Sequence, residues 1–274
     1  MPSLFISHTS PMLAFDTESA RDYKHWGERL PKPKALLVFS AHWEEAGLVF
    51  GETIRHKKLV YDFFGFPNKL YQLQYPAPGA EWLIDDVRQT VNEDIPLSNR
   101  GLDHGVWIPL LYMWPDADVP ILQMSLPSNY SNQQFYELGR QLASLRRQGI
   151  MIAGGGTLSH NLKESFSRRH TETPEWAISF DHWIVQTLAS DKEQLFDWEN
   201  NVPNSLQNHP TPEHFRPLLI TVGAANNLEI ASYPLSGFDT AVFSKRSVQI
   251  WMMDCFCFNM NKNQSVHLDA TDQP

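Results

Sequence analysis

The chain has 274 residues, 42% hydrophobic and 12% aromatic, enough for one large buried core without disulfides. Its 22 basic and 31 acidic residues leave a net charge of −9, and no Lys/Arg run exceeds a pair, which argues against a nucleic-acid partner and for a small molecule. No apolar run approaches the roughly 20 residues of a membrane helix, and the N-terminus lacks a basic, long-apolar leader, so no membrane association and a cytoplasmic location are expected.

In chain order, residues 4–6 are the first strand candidate and 35–40 the second, announced by Pro31 and Pro33. Tyr61 to Pro67 and Tyr75 to Gly79 then form an aromatic, turn-rich segment. It reads equally as a binding loop and as a surface loop pinned by its aromatics. A helix is predicted over 80–91, with Trp82, Leu83, Val87 and Val91 on its apolar stripe. A strand over 119–125 leads to a helix over 132–147, whose stripe is Phe135, Leu138, Leu142 and Leu145 and which Gly149 closes. Residues 150–153 form the next strand, and 175–189 a well-buried helix carrying Trp176, Phe180, Trp183 and Leu188. Strands over 229–233 and 247–251 follow. Continuous apolar runs predict strands covered on both faces. Their alternation with helices predicts a single α/β domain with a central, mostly parallel or mixed sheet flanked by helices.

The chemistry resides in histidines. His8 and His42 each follow a strand candidate, at the C-terminal edge where open α/β sheets gather ligands. Two such residues on neighbouring strands would share one ion; singly, each reads as a hydrogen-bonded loop or core histidine. His160 follows Gly154-Gly155-Gly156, which permits a tight turn or a close backbone approach. A phosphate cradle would need a Lys-Ser/Thr or a spaced glycine pattern that is absent. His214 follows Thr211 as N-cap and Pro212 as first helical residue, which places it in a helix's first turn, with Pro217 weakening the helix locally. The positive helix end favours neutral imidazole, the metal-binding form. His104 is the fifth candidate, and the adjacent Asp103 is expected to serve another partner. His25, His56, His170, His182, His209 and His267 read as surface or packing residues, His209 being the one nearest a candidate. Cys255 and Cys257, alternating on an extended chain, make a poor disulfide pair and fit a reducing compartment.

Taken together, His8-Thr9-Ser10-Pro11-Met12, Ser40-Ala41-His42-Trp43, the 56–75 segment, Gly101-Leu102-Asp103-His104-Gly105, residues 112–120, Ser159-His160-Asn161-Leu162 and Pro210-Thr211-Pro212-Glu213-His214 resemble the class III extradiol ring-cleavage dioxygenases, within them the 4,5-DOPA dioxygenase extradiol branch. The resemblance implies one catalytic α/β domain over 1–250 that binds a single divalent metal, with 251–274 as a C-terminal extension. By the same resemblance His8, His42 and His214 are metal ligands. His160 is a further ligand in zinc-bound forms or a base beside the metal, and His104 is an acid/base. Related protocatechuate-type enzymes complete the set with a glutamate, which makes Glu213 the alternative to His214. The family usually has Gly-His-Gly-Ser-Pro-Met at the first ligand, where this chain has Ser7-His8-Thr9-Ser10-Pro11-Met12. The implied reaction opens the ring of a DOPA-like catechol with O2 at Fe(II), whose open positions accept both. With Zn(II), which has no second oxidation state, the same scaffold would suit a hydrolase-type reaction; a non-catalytic metal- or ligand-binding protein is the third reading. Trp43, Phe63, Phe64 and Trp107 are candidates for stacking on the ring, with core packing the alternative for each.

Overall fold

The apolar runs at 4–6, 35–40, 119–125, 150–153 and 247–251 become strands with side chains buried to both sides, whereas the strand Ile230–Leu235, at the sheet's edge, is mostly half-buried or exposed. A computed structural model describes residues 1–56, 58–167 and 172–252; His170, His267, Cys255, Cys257 and nearly all of the expected 251–274 extension lie outside the described residues. Strands β1 (Ser3–Ser7), β2 (Ala35–Glu45), β3 (Ile121–Pro127), β4 (Ile150–Gly156), β5 (Ile230–Leu235) and β8 (Ser247–Trp251) form one six-stranded sheet, while β6 (Phe238–Asp239) and β7 (Phe243–Ser244) pair as a short hairpin. The order is β3-β2-β4-β1-β8-β5. The first four are mutually parallel, and β8 runs antiparallel to both its neighbours. The sheet is therefore mixed, and the chain is an α/β domain.

Side chains alternate between the two faces, as strand geometry requires. Phe5, Leu37, Phe39, Leu122, Ile150 and Ile152 share one core with α2 (Ile84–Val91), α4 (Asn132–Arg147), α6 (Glu175–Ala189) and α9 (Arg216–Gly223). Leu4, Ile6, Leu36, Val38, Met151 and Ala153 share the other with α1 (Thr17–Arg29) and α3 (His104–Met113). Short helices α5 (Leu162–Ser167), α7 (Trp198–Asn201) and α8 (Ser205–Asn208) fill the connections around α6.

Helix α4 begins at a reciprocal cap: Ser131 accepts from the Gln134 N–H, and the Gln134 side chain accepts from the Ser131 N–H. The predicted 80–91 helix instead opens with a 3-10 turn over Glu81–Leu83. That turn's tighter winding rotates Trp82 out to solvent, while Leu83, Val87 and Val91 stay buried. Arg146, buried at the end of α4, donates to both Glu229 carboxylate oxygens (2.7 and 2.6 Å), to the Met1 carbonyl (2.8 Å) and to the Ala224 carbonyl (2.6 Å). This guanidinium joins the N-terminus, α9 and the lead into β5. Among the described residues, no helix is long and apolar enough to cross a membrane.

Candidate metal centre

His8 follows β1 directly, and its N–H donates to the Gly156 carbonyl at 3.1 Å. His42 lies within β2, not beyond it. The β2–β4 ladder stops at Ser40–Gly155, and the β2–β3 register shifts between Phe39 and Glu44. His42 occupies that irregularity, and such a bulge re-aims side chains. The two histidines are also not on neighbouring strands, because β4 runs between β1 and β2. They meet because β4 ends in Gly154-Gly155-Gly156.

Those glycines are strand residues, and of the two expected uses it is the close backbone approach, not the tight turn, that they serve. A Cβ on Gly154 would lie 2.4 Å from the Pro217 carbonyl oxygen, and one on Gly156 would lie 2.4 Å from that of His214. The missing side chains let the lead into α9 rest on the sheet. This delivers His214 beside His8. His214 sits in the turn before α9, not inside a helix beginning at Pro212: the N–H groups of Phe215 and Arg216 both bond the Pro212 carbonyl, and regular helix starts at Arg216. Pro217 thus falls in the helix's first turn, where its missing N–H is harmless. The His160 backbone N–H donates to the Asn208 carbonyl at 2.9 Å, which fixes the loop after β4 against α8.

The rings converge. The Nε2 atoms of His8 and His42 lie 3.0 Å apart. Ring centroids are 5.4 Å apart for His8–His214, 5.0 Å for His42–His214 and 4.1 Å for His42–His104. His160 stacks on His214 at 3.5 Å with the planes 8° apart, and Phe243 of β7 stacks on His160 at 4.9 Å. Among the described residues two groups have ligand atoms close enough to hold an ion: His8, His42 and His104, and His160, Glu213 and His214.

Carboxylates set the tautomers. Asp62 accepts from His104 Nδ1 at 2.7 Å through one oxygen and from His42 Nδ1 at 3.1 Å through the other. Glu213 accepts from His214 Nδ1 at 2.9 Å. A carboxylate only accepts, so these Nδ1 atoms carry hydrogens, and each Nε2 presents a lone pair when its ring is neutral. His214 Nε2 and His8 Nδ1 are buried without a hydrogen-bond partner. Clustered imidazole lone pairs, including a buried orphan, fit a divalent transition metal.

Most of the rings are held in the neutral form such an ion needs, with His42 the exception. Burial holds His8 and His214 well below the usual histidine range, and neighbouring imidazoles add to this. Burial pushes His160 down to about 3 and, with the His42 charge, also lowers His104. Burial opposes charge on His42 as well, but Asp62, with Asp103 and Glu213, outweighs it and raises that ring. Burial likewise disfavours the Asp62 carboxylate, yet the bonds from His104 and His42 hold it below the usual range.

Asp62 is the residue the sequence did not reveal. It lies in the aromatic 61–67 segment, and a bridge between Val60 and Asp103 brings it to the start of α3, where it also accepts from the His104 N–H at 3.4 Å. Nothing local to residue 62 announces that pairing. Of the four aromatic candidates, Trp107 is fully buried in the core, and Phe64 is 91% exposed. Trp43 is buried with its indole N–H on Glu45, and Phe63 lies edge-on to His104 at 5.4 Å.

His209 is a packing residue. It is buried against Phe180, Trp198 and Phe215, and its Nε2–H donates to the Leu158 carbonyl at 2.8 Å. Burial, partly offset by that bond, pushes its pKa down to about 4. The unfolded chain takes up the proton near pH ~6.5 and the folded protein resists it until well below. This contribution is therefore complete above pH ~6.5 and is lost as pH falls towards 4, by about 3 kcal/mol. Urea unfolding at pH 7 and pH ~4.5 should show a larger acid loss in the wild type than in His209→Gln; equal losses would refute the assignment.

With this geometry in view, similarity to known proteins is decisive. A family model described as the catalytic LigB subunit of aromatic ring-opening dioxygenase matches residues 2–240. The chain belongs to this LigB family. It is 36% identical over 255 residues to 4,5-DOPA dioxygenase extradiol of Beta vulgaris, covering 88% of this chain and 93% of that one. It is 36% identical over 261 residues to the Escherichia coli (strain K12) protein of the same name, covering 91% and 94%. A crystal structure of an uncharacterized protein from Escherichia coli K12 superposes with a TM-score of 0.79 at 32% identity, covering 92% of this chain and all of that one. This LigB protein is a class III extradiol dioxygenase, a metal-dependent oxidoreductase that cleaves the ring of a small aromatic substrate with O2. The similarity does not favour the zinc-hydrolase reading.

Proposed function

We propose that the substrate is a DOPA-like catechol and that the ion is Fe(II), held by His8, His42 and His214. One observation carries the ligand reading: carboxylates take the Nδ1–H of His42 and His214, leaving Nε2 lone pairs beside His8. The Glu213–His214 bond supports Glu213 as the group that orients the third ligand, rather than as the ligand itself. The near-parallel stack supports His160 as an acid/base beside the ion. His214, its Nδ1–H taken by Glu213, would hold the ion, and His160 stacked on that ring would exchange protons beside it. Relatives named for 4,5-DOPA support the substrate class, and Phe63, edge-on to His104, supplies an aromatic wall for a planar ring.

When bound, Fe(II) supplies Lewis acidity towards the catechol oxygens and the redox link to O2 that zinc lacks. The protein's part is proton handling. His104 Nε2 accepts a phenolic proton, and Asp62 on Nδ1 holds the ring in orientation and stabilises the resulting imidazolium. His160, neutral and half-buried, holds or returns a proton on the other side of His214. The ring then opens beside the diol to a semialdehyde. The catalytic unit in this reading is residues 1–250, supported by the match over 2–240. A cytoplasmic setting is supported by the presence of only two cysteines.

Anaerobic reconstitution of the metal-free protein with Fe(II), followed by DOPA and O2, should give O2 uptake and a yellow product, and Zn(II) should give neither. No O2 uptake with Fe(II) and any of several catechols would overturn the reading. His104→Ala should keep its metal and slow turnover by ~10²–10⁴. Loss of the ion in that variant would instead make His104 a ligand.

A further inference from the structure

We infer that Ser40, Asp103 and Arg100 are positioning residues that fix the bulge carrying His42 and tie it to the helix carrying His104. The inference rests on the reading of His42 as a metal ligand. A bulge removes ladder partners, so the backbone groups of its residues must be satisfied elsewhere. At His42 side chains do this on both sides: the N–H donates to Ser40 Oγ at 3.2 Å, and the carbonyl accepts from Arg100 Nη2 at 2.9 Å. Ser40 is oriented in turn, because its hydroxyl donates to Asp103 Oδ1 at 2.6 Å. The other Asp103 oxygen accepts from the Gln123 amide on β3.

Asp103 occupies the N-cap position of α3, where aspartate ordinarily caps, yet its side chain makes no capping bond. Asp62 takes the His104 N–H instead. The fully buried Asp103 carboxylate is thus diverted from its own helix to β2 and β3. Its backbone meanwhile anchors α3, accepting from the N–H groups of Val106 and Trp107 at 3.0 Å. One residue therefore sets the bulge through its side chain and His104 through its main chain. Space is tight there: a Cβ on Gly105 would lie 3.0 Å from both His42 Cδ2 and Ser40 Oγ. The separation of His42 from His104, rings that share Asp62, is the quantity this network holds.

The test uses the full chain loaded with Co(II), reading the dissociation constant by chelator competition and the ligand-field spectrum, well below the melting temperature. Ser40→Ala and Asp103→Ala should bind Co(II) about 10–100-fold more weakly, with a shifted spectrum. Asp103→Asn should regain affinity and spectrum relative to Asp103→Ala: its oxygen still accepts from Ser40, and the unpartnered Gln123 Oε1 can face its amide after a flip. Should the buried variants fail to fold, Arg100→Met, at a half-buried position, should show the same weakening, with Arg100→Lys restoring it in part. Wild-type affinity and spectrum in Ser40→Ala or Arg100→Met, whatever their thermal stability, would overturn the inference. His42→Ala distinguishes the two levels. If it keeps stoichiometric Co(II), the ligand reading itself fails. If it loses the ion while Ser40→Ala holds it normally, only the positioning role fails.

Discussion

Alanine at His8 or His42 is expected to abolish stoichiometric metal binding and, with it, ring cleavage. Each ring supplies one of the converging nitrogens, and their Nε2 atoms lie 3.0 Å apart. Alanine offers no donor, and the near-total burial of His8 leaves little room for a replacement ligand from solvent. The loss should exceed that from any orienting partner, because such a partner costs about 10–100-fold when removed. Elemental analysis of purified, Fe(II)-reconstituted variants checks this, with circular dichroism reporting the fold. Full metal occupancy in either variant would remove that residue from the ligand set.

The second large effect concerns stability, far from the rings. Arg146→Ala should destabilise the protein by about 3–5 kcal/mol, because it leaves the buried Glu229 carboxylate without its cationic partner. The carbonyls of Met1 and Ala224 lose their donor in the same step. At roughly 2–4 °C per kcal/mol for chains of this size, the melting temperature should fall by on the order of 10 °C. Pairing Arg146→Met with Glu229→Leu should recover much of the loss, since removing both charges also removes the unpaired one. Calorimetry on the three proteins, each with its metal content measured, decides it. A loss below about 1 kcal/mol in the single variant would show that the pair contributes little.

What the sequence made legible follows physical range. Strand and helix identities rest on periodicity within a dozen residues, so 132–147 and 175–189 fall where α4 and α6 form. His8 could be placed after a strand because that strand ends where its apolar run ends. His42 could not, because a bulge is defined against β3, a partner eighty residues away, and its own apolar run stops early. Gly154-Gly155-Gly156 permit a tight turn or a close backbone approach, and nothing local chooses between the two. Their reason is the approach of Pro217 and His214 from a distant segment. Asp62 was hidden for the same cause: its partners, His42 and His104, are reached through non-local pairing at Val60 and Asp103. Trp82 failed differently, through a switch from 3.6-residue to 3-10 winding in one turn.

The place of β8 bears on how the molecule is made. Among the described residues it is the last strand of the sheet in sequence, yet it lies beside β1, the first. While the ribosome is still working, one side of β1 has no permanent neighbour until residue 251 has emerged. An open strand flank of Leu4, Phe5 and Ile6 invites pairing with other nascent chains. A product truncated shortly before Ser247 would keep every proposed ligand and still carry that exposed flank, so its fate is aggregation or chaperone capture.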